Sequence, residues 1–103
     1  MRSVIGLLVV AGSTGLAAAG PVETGRGLVE ANCAVCHAIG PSGTSPHSAA
    51  PPFRDVVKRY DPSALEEAFA EGILVGHPDM PAFELKPEQI EAVIAYLGSL
   101  KTP

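Results

Sequence analysis

The sequence predicts an all-α domain of short helices, and three observations carry that prediction. Near the C-terminus, Ile90, Val93, Ile94 and Leu97 recur at helical spacing, and Leu100 extends the same stripe. Two helix starts are marked by chemistry: Asp61-Pro62 offers an N-cap followed by proline at the first position, and Pro87 opens a second such start. No stretch alternates apolar and polar residues as a half-buried strand would, and no internal repeat is visible.

The elements follow in order. Residues 1–19 hold a single charge, Arg2, then the apolar run Val4 to Val10, then Ala17-Ala18-Ala19, a small-residue cleavage pattern. This is the signature of a cleaved secretory signal peptide, which predicts an exported, periplasmic domain over 20–103. The apolar run is much shorter than the roughly 20 residues a spanning helix needs, so no stable membrane anchor is expected. A helix is predicted from Glu23 to about His37, then an irregular Gly/Pro/Ser loop over 38–52. A short helix over Phe53 to Tyr60 precedes one from Pro62 to about Ile73. A second irregular stretch over 75–86 leads into the helix from Pro87, where Glu88 and Glu91 lie near its positive end.

Without the leader the chain has 84 residues, six basic and eleven acidic, for a formal charge of −5. That balance argues against a nucleic-acid partner, because phosphate binding wants a basic face. A domain so small buries a modest fraction of its surface and commonly leans on a disulfide, metal or cofactor.

Cys33-Ala34-Val35-Cys36-His37 supplies one. C-x-x-C-H is the attachment signal of c-type haem: two thiols on one turn reach the two vinyl groups, and the adjacent imidazole faces the iron. Three rival readings use the same residues. A disulfide between cysteines three apart is strained and leaves His37 idle. A thioredoxin-like pair wants a βαβ context that the helical pattern denies. A zinc site recruiting His47 and His77 has irregular spacing. An exported chain whose two cysteines both sit in this motif favours haem.

Met80 is the one methionine left once the leader is removed. Most methionines fill cores, but this one sits in the proline-bracketed His77-Pro78-Asp79-Met80-Pro81, where a thioether can act as a soft iron ligand. His77 is the competing sixth ligand, and His47 reads as a solvated loop residue.

Three ordered blocks resemble the monohaem class I cytochromes c: Gly25 to His37, Met80-Pro81-Ala82-Phe83, and Ile90 to Leu97. The resemblance spans essentially all of the region after the leader. It implies a fold of short helices wrapped around one covalently bound haem c. Cys33 and Cys36 would form the thioethers, with His37 as proximal and Met80 as distal iron ligand. It further implies that the first and last helices cross near right angles, with Gly25 permitting close approach and Val29 meeting Val93 and Tyr96. A proline carbonyl usually accepts from the proximal histidine, and Pro51 is the first candidate, Pro52 the next. Ala50-Pro51-Pro52-Phe53 departs from the commoner Gly-Pro-x-Leu form. Phe53, Leu65, Phe69, Leu74 and Phe83 are expected around the haem.

Arg54, Lys58 and Arg59 form the local basic cluster: they could pair with haem propionates, mark a docking face, or be solvated charges. Lys86, close to the methionine loop, is a candidate replacement ligand at high pH. With both axial positions filled, the expected role is one-electron transfer rather than catalysis. Redox proteins such as a dehydrogenase, oxidase or cytochrome complex would be the partners. The alternatives are a cytochrome subunit of a multi-subunit oxidoreductase, and a haem enzyme or gas sensor in which Met80 detaches. The chain would act as a monomer or as part of a heteromer.

Overall fold

A computed structural model describes residues 20–72 and 79–101, together with Gly6. The leader expectation, Leu74 and His77 lie outside the described residues. Four helices and no strands are present among the described residues: α1 (Pro21–Asn32), α2 (Phe53–Arg59), α3 (Pro62–Glu71) and α4 (Pro87–Ser99).

Helix α1 starts two residues earlier than the sequence predicts and stops at Asn32, short of His37. Pro21 is tolerated in the first turn because its missing N–H would have no intrahelical partner there. The far end unwinds because the amides of Cys33 and Ala34 both donate to the Val29 carbonyl, at 2.8 and 3.0 Å. The Asn32 amide adds a side-chain bond to the Leu28 carbonyl at 2.8 Å, drawing on an acceptor of the last turn. Cys33 to Cys36 therefore form turns beyond the helix. One further turn closes through Cys36 N–H and His37 N–H, both donating to the Cys33 carbonyl.

Helix α2 ends one residue before the expected Tyr60, with Lys58 and Arg59 in its last turn, where positive charge favours the carbonyl end. Asp61 caps α3 as expected: its Oδ1 accepts from the Ser63 amide at 3.0 Å and the Ser63 hydroxyl at 2.9 Å. That helix stops at Glu71 rather than near Ile73 because Gly72 turns left-handed, with φ of 69°. At the start of α4 the Lys86 amide donates to Gln89 Oε1 at 2.9 Å, which satisfies a backbone donor outside the helix.

The core is a five-residue cluster, Val29 of α1, Val57 of α2, and Val93, Tyr96 and Leu97 of α4. α1 packs on α4 more extensively than any other pair of helices packs. Gly25 makes the approach possible. A Cβ built there would run into the Ala92 carbonyl and lie 2.9 Å from Tyr96 Cβ. The Tyr96 hydroxyl reaches across to donate to the Ile39 carbonyl at 2.6 Å, tying α4 to the loop after the cysteine motif.

Candidate functional site

Between these helices lies a cleft holding about 1190 Å³ of atom-free space, its open mouth included. Its wall is overwhelmingly apolar. Phe53 and Val56 come from α2, Leu65 and Phe69 from α3, Val93 and Leu97 from α4, and Phe83 from the segment before α4. The same cleft brings together Cys33, Cys36, His37, Pro51 and Met80, which the chain carries on three separate segments.

His37 is oriented from two sides. Its Nδ1 lies 2.7 Å from the Pro51 carbonyl, and because a carbonyl only accepts, Nδ1 carries the proton. That fixes the tautomer in which Nε2 keeps its lone pair. The Phe53 ring braces the imidazole, with centroids 4.9 Å apart and planes inclined by 43°. Phe53 is itself held by its amide, which donates to the Ala38 carbonyl at 2.9 Å.

The cysteines are free thiols, both half-buried. Burial pushes the Cys33 thiol up to about 11, so it stays protonated at neutral pH. No group of three or more His, Cys, Asp or Glu side chains that could hold a metal ion gathers among the described residues. Two thiols lining an apolar slot suit addition to an apolar partner.

The basic cluster lies elsewhere. Arg54, Lys58 and Arg59 line a separate groove with Tyr60, Leu100 and Lys101, and none of the three lines the cleft. Arg54 donates to the Gly43 carbonyl at 2.7 Å, and Lys58 sits 3.7 Å from Asp55. Lys86 is exposed at the N-cap of α4 and also lies off the cleft wall.

Sequence reasoning missed His47 and Asp79. His47 is not a bare solvated residue: it is half-buried, lines the cleft, and its Nε2 lies 3.2 Å from Asp79 Oδ2. The signal was present, since Asp79 directly precedes Met80, but a contact across 32 residues leaves no periodic trace in the sequence.

An apolar slot, two free thiols and an imidazole with a fixed tautomer fit a porphyrin attached through thioethers, and the class that this fold and site define is a helical c-type haem protein. The chain belongs to the cytochrome c family. The family model described as Cytochrome c matches residues 22–101, from the second residue of α1 to the end of α4 and beyond. The chain is 33% identical over 101 residues to cytochrome c-552 of Bradyrhizobium diazoefficiens, covering 98% of this chain and 95% of that one. It is 34% identical over 80 residues to cytochrome c6 of Bryopsis maxima, covering 76% of this chain and 90% of that one. A third relative, cytochrome c oxidase subunit 2 of Alkalihalophilus pseudofirmus, is 35% identical over 101 residues, but the match covers 27% of that longer chain. No solved structure matches the chain significantly. The cofactor is thus covalently bound haem c with its iron, and the protein is a haem electron carrier. No helix among the described residues is long and apolar enough to cross a membrane.

Proposed function

We propose that the protein is an exported, periplasmic one-electron carrier in which Cys33 and Cys36 hold haem c through thioethers while His37 and Met80 ligate its iron. The observation that carries this reading is the convergence of those four side chains on one apolar cleft. When bound, the haem supplies a ferric/ferrous couple.

The residues do the rest. His37, with its Nδ1–H engaged by Pro51, offers Nε2 as a strengthened and fixed donor. Met80 would hold the iron through a weak thioether, which would raise the potential and leave no open site for substrate or oxygen. Phe53, Leu65, Phe69, Phe83 and Leu97 keep water from the slot, which limits reorganisation when charge changes. Val35, 78% exposed yet part of the cleft wall, presents an apolar contact at the rim for a redox partner. Small redox encounters typically use such limited interfaces. The region 1–19 would act as the export signal and be removed.

The test is direct. Reduced protein should show split α and β bands, haem should stay attached on denaturing electrophoresis, and the ferric form should show the weak sulfur-to-iron charge-transfer band. Met80→Ala should abolish that band and admit cyanide. If the wild-type ferric protein lacks the band and binds carbon monoxide readily when reduced, Met80 is not a ligand and the sensor reading takes over. Intact mass of the exported protein should correspond to a chain beginning near Gly20; a retained Met1 would refute export by cleavage.

The similarity to an oxidase subunit favours a second reading, in which the chain serves as the electron-passing module of a larger oxidoreductase. Co-purification as a stable heteromer would select it over a freely diffusing carrier.

A further inference from the structure

We propose that His47 is a positioning residue that clasps the Met80 segment to the His37 loop, so that the two axial-ligand segments hold together as one unit. The proposal rests on the His37/Met80 ligation reading above. Its basis is a chain of bonds. The His47 amide donates to the Cys36 carbonyl at 3.0 Å, and the His47 carbonyl accepts from the Ala50 amide at 3.0 Å. Ala50 immediately precedes Pro51, whose carbonyl holds His37 Nδ1 at 2.7 Å. The backbone of His47 is therefore built into the same loop that orients the proximal imidazole.

Its side chain faces the other way. The Ala49 amide donates to His47 Nδ1 at 3.1 Å, so in the neutral ring the proton sits on Nε2. That N–H then donates to Asp79 Oδ2 at 3.2 Å, one residue before Met80. Imidazole suits this post because it accepts on one edge and donates on the other, and the carboxylate strengthens the outward bond. Asp79 adjoins Met80, so this side-chain link acts at the segment that carries the thioether, beside the packing of Leu85 on the core.

The experiment uses haem-loaded protein and exogenous imidazole, which competes with Met80 for the iron. Wild-type ferric protein should show the charge-transfer band and bind imidazole weakly. His47→Ala should raise imidazole affinity about two- to fivefold, the range expected for a partly exposed pair. His47→Gln, which retains a donor for Asp79, should restore most of the wild-type value. Adding His47→Ala to Asp79→Ala should change little further. Unchanged affinity in His47→Ala, with or without a lower melting temperature, would overturn the clasp while leaving the ligands standing. So would full additivity of the two alanine variants. A wild type lacking the band would overturn the ligation reading and the clasp with it.

Discussion

Gly25 sits where α1 meets α4, and a methyl group there has nowhere to go because the obstacle is the Ala92 backbone rather than a pliable side chain. Gly25→Ala should cost about 1–3 kcal/mol, the range of overpacking in a close-fitted interface, despite its gain in helix propensity. Chemical denaturation of the two proteins would check it; equal midpoints would mean that the helices slide apart freely. Tyr96 is the next residue along that seam. Tyr96→Phe removes the bond to the Ile39 carbonyl and leaves that oxygen without this donor, a loss of about 1 kcal/mol. The phenol also carries a pH signature. Burial is the main cause raising it above its ordinary 10.0, opposed by Arg26 and reinforced by Glu30. The folded state thus prefers the neutral phenol. This contribution is fully present below pH 10, where the unfolded tyrosine is still protonated, and is lost as pH rises through the folded value. Stability measured across the alkaline range should fall more steeply in wild type than in Tyr96→Phe.

At the level of elements, the caps decide where helices begin and end. Asp61 is held below its usual range by the Ser63 amide and then the Ser63 hydroxyl. Its cap therefore contributes above the unfolded value of 3.8 and fades as pH falls through the lower folded value. Asp61→Ala should fray α3 at neutral pH, seen as faster amide exchange in its first turn, and the difference from wild type should shrink in acid. This start was legible in the sequence because a cap and a following proline act locally. So was the stripe of α4, since Ile90, Val93 and Leu97 sit on the face that packs. The end of α1 was not: nothing local tells that Cys33 and Ala34 will share the Val29 carbonyl. The cysteine motif, His37 and Met80 stand out in the sequence as candidates because few residues perform their chemistry, whereas Pro51 offers a carbonyl that any residue carries and was reached only through the family resemblance. The His47–Asp79 pair escaped, since its meaning depends on which loops meet in space.

The whole molecule has little interior of its own. Among the described residues the buried apolar set is Val29, Val57, Ile90, Ala92, Val93, Tyr96 and Leu97, and of these Val29 alone is sealed completely. Much apolar surface instead faces the cleft. Haem-free protein, made as a Cys33→Ala/Cys36→Ala variant, should keep part of its helical circular dichroism but melt without a sharp heat-capacity peak. A cooperative transition matching the wild type would show that the polypeptide carries the fold unaided. The seam of α1 and α4 has a further meaning for the order of assembly. Val93 and Leu97 of α4 close one side of the cleft and pack with Val29 of α1, the helix that leads into Cys33 and Cys36. While that seam is open the slot cannot shut and both thiols stay reachable, so attachment can come first and closure afterwards, with the cofactor trapped by the last step of folding.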